Sequence, residues 1–563
     1  SLFFNIFVYA KAAFMKPRII LLLIVLLAAG VPVLRAQKSV VPADAHDANE
    51  KFINNNFEGA LDQYLQLLEK EPQNERYNYR VGVCYLNTNI SKKKAIPYFE
   101  VVTHQPHPDP DATYLLGRAY CFAYRFDDAL KCYNQFKTAG KGSAANLKDV
   151  DREIQNCYNA KELMKFPLNV TFENLGKNIN TQYADYWPFI PSDESFLVFN
   201  SKRPDGGAVM EMNGEYASGI FISKVTNGNF GKAKNIGPPI NSKEGDEEVI
   251  GLSATGEQML LYYDNLMGVG DIYLADADKK GNFNKAEILD NTINSVNGFE
   301  ISAGITNDGQ TIYFTSDRKG GLGGTDIWVS HKLPTGHWAE ATNLGPEVNT
   351  EMDEDFPSVS PDGKTLYFSS KGHTTMGGYD IFKMDWDELH SKWTNLKNLG
   401  YPLNTPDDDM NFRISETGRF GYISATRDEG FGDLDIYRVT FNNIEPKYSV
   451  LKGRVVSADT TKKVNYADVF MSVINEKTQE NVGNYVPNSN TGRYVIIVPP
   501  GIYTINLELA GFQTYTQKVS IVDKSSFKTE IDKDIQLLPT GYVAPKPVPD
   551  KPPGGTTPKK PGK

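Results

Sequence analysis

The stretch GGLGGTDIWVS, Gly320 to Ser330, places a run of glycines before an acid and a short apolar strand. Nearly the same phrase recurs as GVGDIYLAD (268–276), MGGYDIFKM (376–384) and GFGDLDIYRV (430–439). A glycine-rich loop that binds phosphate leads into a helix N-terminus, whereas Asp-Ile followed by an aromatic residue favours a strand. We therefore expect each phrase to be a loop between two strands, with its Asp accepting hydrogen bonds from the turn backbone. The repetition is the stronger signal.

A second motif sets the length of the repeat. The pattern Asn-Leu-Gly followed by Asn, with Ile for Leu in the second copy and a degenerate third copy, ends at Asn180, Asn241, Asn294, Asn349 and Asn404. Each copy is followed by a tight turn, whose Asp-Gly or Thr-Gly pair supplies the positive φ of a hairpin, and then by an alternating apolar strand. A four-stranded unit of about 55 residues, repeated in an array, closes radially as a β-propeller. We predict five blades over residues 166–445, the last completed by a strand near 169–174. The segment SPDGKTLYFSS (360–370) resembles the WD40-like repeats of the TolB type.

Residues 41–165 show a helical period instead. Ala60, Ala95 and Ala129 are spaced close to the 34-residue period of the tetratricopeptide repeat (TPR), and an aromatic residue follows each by four positions. Gly82 and Gly117 lie in the preceding helices, where a small residue lets two helices approach closely. This segment resembles a TPR α-solenoid of three units with a capping helix at 148–165. In that family the first helix of each unit lines a groove, which makes Tyr79, Tyr114 and Arg118 candidate protein-binding residues.

The C-terminal part changes pattern again. Residues 446–540 contain GRY (492–494), PPGIY (499–503) and GF (511–512) between apolar strands. They resemble the carboxypeptidase regulatory-like domain, a small transthyretin-like β-sandwich that is a structural appendage and not a peptidase. The last residues, 541–563, hold seven Pro and five Lys and are expected to form an extended linker or tail. The predicted fold class is therefore multidomain, α plus β.

The N-terminus predicts export. Residues 1–36 comprise upstream residues, a positive segment from Met15 and an apolar run, Ile19 to Leu34, which is short for a membrane span. Cleavage is predicted between Ala36 and Gln37, and no Cys lies there to mark a lipoprotein. The net charge of −10 and pI of about 5.4 disfavour a nucleic-acid partner. The four Cys have no Cys-x-x-Cys spacing and are interpreted as free thiols.

Few constellations suggest chemistry. His104 and His107 lie in a proline-rich loop without zinc spacing, and DADKKGN (276–282) lacks the Glu of a calcium loop. The acid runs KEGDEE (243–248), EMDEDF (351–356) and PDDDMNF (406–412) recur once per repeat. We interpret them as solvated loop acids, with a calcium or basic-partner surface as the alternative. No Gly-x-Ser-x-Gly elbow occurs, so we expect no enzyme activity, no cofactor and no metal.

The order of TPR-like, TolB-like and regulatory-like segments resembles the PorE-like, OmpA-family envelope proteins of Gram-negative bacteria, which are associated with type IX secretion. The sequence as given has no OmpA-like segment, which puts direct cell-wall binding in doubt. The resemblance implies a non-enzymatic scaffold in the periplasm, with possible outer-membrane or indirect peptidoglycan association, whose partners are envelope or secretion-system proteins. The alternative is a glycan-binding or glycan-cleaving propeller, because five-bladed propellers host glycosidases with central carboxylates.

Overall fold

The computed structural model describes residues 43–191, 194–204, 208–226, 229–242, 246–265, 269–296, 298–360, 362–415, 418–427, 429–442, 449–499, 501–521 and 530–542. The predicted cleavage site at Ala36 and Gln37 lies outside these residues, as does nearly all of the predicted tail. Within the described ranges, no helix is both long enough and apolar enough to cross a membrane.

Helices occupy the first part of the described chain. They are α1 (Ala45–Ile53), α2 (Phe57–Lys70), α3 (Glu75–Leu86), α4 (Ile96–Thr103), α5 (Ala112–Phe122), α6 (Phe126–Ala139) and α7 (Ala144–Leu163). The side chains of Asn56, Asn74 and Ser143 cap α2, α3 and α7 by accepting a backbone N–H of the first turn. Pro97 occupies the first turn of α4, where its missing N–H costs nothing.

Small residues allow consecutive helices to pack closely, as the sequence predicts. Ala60, Ala95 and Ala129 have no solvent exposure. A Cβ added to Gly82 would lie 2.6 Å from the Phe99 ring, and one added to Gly117 would lie 2.7 Å from the Tyr133 ring. The aromatic side chains of one helix therefore rest directly on the glycine backbone of the preceding helix.

In the middle of the chain, the described residues form five antiparallel sheets. Strand β1 (Val170–Asn174) comes first. Sheet I contains β2 (Asp185–Phe189), β3 (Phe196–Ser201), β4 (Gly219–Thr226), β5 (Asn229–Phe230) and β6 (Lys234–Asn235). Sheet II contains β7 (Glu247–Leu252), β8 (Gln258–Asn265), β9 (Val269–Asp276) and β10 (Glu287–Ile288). Sheet III contains β11 (Glu300–Ile305), β12 (Thr311–Ser316), β13 (Asp326–His331) and β14 (Thr342–Asn343).

The last two sheets follow the same order. Sheet IV contains β15 (Glu354–Val359), β16 (Thr365–Ser370), β17 (Asp380–Asp387) and β18 (Lys392–Asn398). Sheet V contains β19 (Arg413–Ile414), β20 (Phe420–Ala425) and β21 (Asp435–Phe441), and β1 is its fourth strand. The pairing of β1 with β21 runs from Val170 opposite Phe441 to Asn174 opposite Tyr437, which confirms the predicted strand near 169–174.

The sheets follow one another around a ring. Buried clusters join sheet I to II, II to III and III to IV, and Ile381 of sheet IV packs with Phe412 and Ile423 of the sheet V segment. Ile436 of sheet V in turn packs with Phe199 of sheet I, which closes the circle. A closed circle of antiparallel meanders is the β-propeller architecture.

The repeated asparagines explain why the sequence motif has its spacing. In each copy the Asn side chain accepts the backbone N–H of an Ile in the third strand and donates to the carbonyl oxygen of the same Ile. Asn349, for example, bonds Ile327 at 2.8 and 3.0 Å. The other pairs are Asn241 with Ile220, Asn294 with Ile272, Asn404 with Ile381, and Asn180 with Ile436. The Asn180 pair joins the start of the array to its last sheet.

The glycine phrase is a loop between the second and third strands, as predicted. Asp326, Asp380 and Asp435 accept backbone N–H groups of their own loops, from Leu322, Met376 and Phe431 at 2.6, 3.0 and 2.7 Å. The glycines serve close contact between loops. A Cβ at Gly323, Gly377 or Gly432 would lie 2.3–2.4 Å from a backbone oxygen of the neighbouring repeat, at Thr350, Pro406 or Gln182 respectively.

Two further sheets form the C-terminal part. One holds β22 (Ser449–Ser457), β25 (Arg493–Val498), β28 (Glu530–Asp532) and β29 (Ile535–Leu537), and the other holds β23 (Phe470–Asn475), β24 (Asn481–Tyr485), β26 (Gly501–Glu508) and β27 (Tyr515–Ile521). Strands β28 and β29 pair parallel with β22. Side chains of both sheets share one buried core that includes Leu451, Ile496, Met471 and Leu507.

Candidate protein-binding site

The helical segment rests on the loops of sheets IV and V. Asn156 of α7 donates to the Gly377 carbonyl oxygen at 2.9 Å and accepts the Thr375 hydroxyl at 3.0 Å. Asn159, one turn later, donates to the Thr375 carbonyl oxygen at 2.8 Å. Asn156 is 4 % exposed, so these bonds are sheltered from water and are correspondingly costly to break.

The turns between helices make further contacts with the same face. Asn89 donates to the Asp433 carboxylate, and Lys92 forms an ion pair with Asp407. The ring of Tyr124 packs edge-on against that of Tyr401, with centroids 5.8 Å apart. Loops of sheets IV and V are therefore partly covered by helices, while the corresponding Gly320–Gly324 loop of sheet III is exposed.

The acid runs correct one interpretation made from the sequence. Glu247, Glu354 and Asp409 are 3, 0 and 5 % exposed, so they are not solvated. Each accepts a Ser or Thr hydroxyl from just before its inner strand: Ser242, Thr350 or Thr405. Burial raises the pKa of all three carboxyls. One acid in each run is thus part of the repeat's internal hydrogen bonding.

A polar cleft of about 140 Å³ opens between the helical turns and sheet I; we call it the junction cleft. Its helical side consists of Asn55, Asn56, Phe57, Glu58, Asn87, Thr88 and Asn89. Its sheet side consists of Gln182, Tyr183, Ala184, Lys202, Asn213, Gly214, Glu215, Tyr216 and Asp433. The rings of Tyr183 and Tyr216 meet edge to face at 5.8 Å.

Acids outnumber bases in the junction cleft. Glu58, Glu215 and Asp433 line it beside Lys202, which forms an ion pair with Glu215. Burial raises the pKa of Glu58, and the nearby charges of Asp433 and Glu215 raise it further. A cationic group entering the cleft would relieve this repulsion.

A hairpin beside the cleft exposes apolar side chains. It lies between β3 and β4, and a bridge between Met210 and Tyr216 closes it. Val209, Met210 and Met212 are 60, 56 and 69 % exposed. We call residues 208–217 the cleft hairpin. Its turn contacts the helices, because a Cβ added to Gly214 would lie 2.5 Å from the Asn56 amide.

The length of one inter-strand loop in the sequence indicates this hairpin, although the sequence motifs did not predict it. In sheet III the loop between the second and third strands joins Ser316 to Asp326, whereas in sheet I it joins Ser201 to Gly219. An insertion confined to one repeat of an array commonly marks the binding face.

Tyr79, Tyr114 and Arg118, the residues predicted to line a helical groove, differ in their burial and contacts. Tyr114 is 3 % exposed: its hydroxyl donates to Asp149 at 2.7 Å and its ring contacts Tyr133 and Phe136. Inter-repeat packing therefore occupies Tyr114, and no ring face is left for a ligand. Tyr79 is partly exposed, with its ring edge-on to Phe99 at 6.1 Å.

Arg118 lies where the helices meet the propeller. Burial acts to lower the pKa of its guanidinium, but the charge of Glu153 and the groups of Tyr114, Tyr133 and Asp408 raise the pKa overall. Glu153 belongs to α7 and Asp408 precedes sheet V, so Arg118 lies within range of charges from both the helices and the propeller. Its charge is balanced within the protein.

The other candidate groups are also accounted for. Asp278 of DADKKGN accepts the backbone N–H groups of Lys280 and Asn282, as a hairpin turn requires. Cys84, Cys121, Cys132 and Cys157 are free thiols, and burial contributes to raising the pKa of Cys84 to about 12. In the part of the chain that the structure describes, no group of three or more His, Cys, Asp or Glu side chains is placed to hold a metal ion.

Comparison with known proteins gives partial matches only. No protein-family model and no curated protein matches the chain. Among solved structures, TolB from Acinetobacter baumannii is 16 % identical with a TM-score of 0.30, over 46 % of this chain and 55 % of that one. A putative TolB from Agrobacterium tumefaciens is 14 % identical with a TM-score of 0.30, over 59 % and 98 %. An endo-arabinase from Bacteroides thetaiotaomicron is 13 % identical with a TM-score of 0.31, over 48 % and 97 %. The chain thus spans about half of the first TolB.

Proposed function

We propose that this protein is a non-enzymatic scaffold of the Gram-negative periplasm that binds other envelope proteins, in a secretion system of type IX or at the outer membrane. In this proposal the helices are a TPR solenoid, the five sheets are five propeller blades, and the C-terminal sheets are a transthyretin-like sandwich. The resemblance in the order of these segments motivates the cellular role. The binding role rests on the structure around the junction cleft.

The observation that carries the proposal is the cleft hairpin beside the acidic junction cleft. Protein interfaces combine an apolar core, in which Met is enriched, with a polar rim. Here Val209, Met210 and Met212 supply exposed apolar area, and Glu58 and Asp433 supply negative charge next to it. A partner that presents apolar side chains flanked by Lys or Arg would match both features.

The test removes the exposed apolar side chains and leaves Gly214, where the hairpin packs on the helices, unchanged. A Val209→Ser, Met210→Ser, Met212→Ser triple variant and the wild type are cross-linked in cells, purified, and compared by quantitative mass spectrometry. We expect the triple variant to lose at least one envelope partner by about tenfold, since an apolar anchor contributes on the order of 1–2 kcal/mol or more.

The matched control replaces exposed apolar residues elsewhere. Leu389 is 85 % and Phe470 54 % exposed, and a Leu389→Ser, Phe470→Ser variant should keep the wild-type partner set. If the hairpin variant retains every partner at wild-type abundance, the proposed site is refuted. Tyr79, whose ring stays partly exposed, remains a proposed groove contact, and Tyr79→Ala is tested in the same experiment.

A glycan-binding propeller is the second candidate. It is favoured by the Tyr183 and Tyr216 rings, which lie in the junction cleft among the side-chain amides of Asn55, Asn213 and Gln182. Aromatic faces beside amides suit a sugar ring. Binding of envelope-derived or plant-derived oligosaccharides that is lost in Tyr183→Ala, with the partner set unchanged, would support this candidate over the scaffold.

A further inference from the structure

The centre of the propeller contains a partly buried arginine, two of whose guanidinium nitrogens are buried. Arg413 begins β19, the innermost strand of sheet V, and its guanidinium carbon lies 4.5 Å from the centroid of Phe189 in β2. Its Nη1 donates to the carbonyl oxygen of Pro357 in β15 at 3.3 Å. Because β2 and β15 are the innermost strands of sheets I and IV, the Arg413 side chain connects its own inner strand, β19, with two others.

The contact between two aromatic side chains shows that this arginine lies at the centre of the propeller. Trp187 of sheet I and Phe356 of sheet IV have centroids 4.7 Å apart, although sheet V separates those two sheets in the circle. Their contact therefore spans the interior. Arg413 lies beside these aromatic side chains. It bonds Pro357, the residue after Phe356, and it stacks on Phe189, two residues after Trp187.

The guanidinium has donors without acceptors. Nε and Nη2 of Arg413 are buried and have no hydrogen-bond partner in the described part of the chain. Burial lowers the pKa of Arg413 to about 9, and no neighbouring charge contributes to that shift among the residues described. Asn411, two residues earlier, has no solvent exposure, and neither of its side-chain polar atoms has a hydrogen-bond partner within the described ranges. Unpaired buried donors of this kind are costly to maintain.

The free edge has a specific geometry. Nε and Nη2 form the side of the guanidinium fork that binds the two oxygens of a carboxylate in parallel. Other arginines of this protein use that same edge: Arg125 binds Asp128, Arg152 binds Asp149 and Arg438 binds Glu173, each through Nε and Nη2. Among the residues that the structure describes, no carboxylate occupies this edge of Arg413.

We propose that the centre of the propeller is a carboxylate-binding site in which the Nε–Nη2 edge of Arg413 binds both oxygens of the ligand and the Asn411 amide donates to it. The rings of Phe189, Trp187 and Phe356 exclude water and strengthen the ion pair. The carboxylate comes either from a small free acid or from an acidic side chain of a polypeptide. This site is separate from the junction cleft, so it does not depend on the proposed function.

Calorimetric titration of the full chain tests the site with three probes at matched ionic strength: sodium acetate, D-galacturonate and the peptide acetyl-Gly-Glu-Gly-amide. We expect Arg413-dependent binding of at least one of them. Acetate or galacturonate alone identifies a free acid as the source, and the peptide alone identifies a polypeptide. No binding by any probe, or equal binding of sodium sulfate, overturns the proposal.

Substitutions separate a ligand site from a structural arginine. Arg413→Lys keeps the charge but loses the fork, and should weaken carboxylate binding at least tenfold, while Arg125→Lys on the exposed helical surface should leave it unchanged. Arg413→Met removes an uncompensated buried charge, so the melting temperature without ligand should rise and the stabilisation by carboxylate should vanish. Binding by Arg413→Lys at the wild-type affinity, or a lower melting temperature for Arg413→Met, would contradict the proposal.

Discussion

Asn180 lies outside the propeller strands but bonds Ile436 of the last sheet. We therefore predict that Asn180→Ala destabilises the closed circle of sheets. The Asn180 side chain makes three hydrogen bonds: from Ile436 N–H at 2.9 Å, to the Ile436 carbonyl oxygen at 3.0 Å and to Asn174 Oδ1 at 2.8 Å. It is 2 % exposed. Each such bond contributes about 1 kcal/mol, and a buried N–H left without a partner costs roughly 1–3 kcal/mol more. We expect a loss of about 4–6 kcal/mol in the free energy of unfolding.

Urea unfolding followed by tryptophan fluorescence isolates this effect, because all five Trp lie between residues 187 and 393. With a slope of about 3 kcal/mol per molar urea, the midpoint should fall by roughly 1.3–2 M. Asn349→Ala removes the equivalent bonds to Ile327 and Asn343 and should produce a similar shift. Asn178→Ala removes one exposed bond to the Phe230 carbonyl oxygen and should change little. If Asn349→Ala produces the shift and Asn180→Ala does not, the closing contact contributes no stability and the reasoning fails.

Two other predictions concern packing and charge. Gly117→Ala should destabilise the helices by about 1–3 kcal/mol, because its Cβ would lie 2.7 Å from the Tyr133 ring. The measurement is the midpoint of helix unfolding, followed by circular dichroism at 222 nm. An unchanged midpoint would show that the Tyr133 ring moves freely. Asp355 accepts the Ser302 and Thr315 hydroxyls, but burial raises its pKa from 3.8 to about 6. Since the folded state holds that proton more tightly than the unfolded state, stability should fall as the pH rises from about 4 to 6, and Asp355→Asn should flatten this dependence in urea unfolding at several pH values.

The fold was predictable from the sequence wherever one interaction recurs in every repeat. The spacing of Asn241, Asn294, Asn349 and Asn404 reflects a side chain that must reach the same Ile backbone in each sheet. Helix packing was predictable for a similar reason, since Gly82 and Gly117 leave room for a ring one helix further on. Local sequence therefore carries these contacts.

The candidate site was less predictable because its contacts join distant segments. Nothing near Asn156 indicates that it bonds Gly377, 221 residues away, and nothing near Tyr114 separates a groove position from a core position. The buried acids were predictable in retrospect. A Ser or Thr follows each repeated Asn, at 181, 242, 295, 350 and 405, and its hydroxyl binds the acid four or five residues later.

The pairing of β1 with β21 has a consequence for the protein while it is being made. Strand β1 ends at Asn174 and its partner begins at Asp435, so β1 leaves the ribosome long before β21 exists. At about 5–20 residues per second, the interval is on the order of 10–50 s. During this interval, sheets I to IV can form, but β21, the strand that pairs with β1, has not been made. Strand β1 therefore has no partner strand. An unpaired strand of this kind invites pairing with another chain, so any chain that starts to fold before β21 is available is exposed to aggregation during that interval.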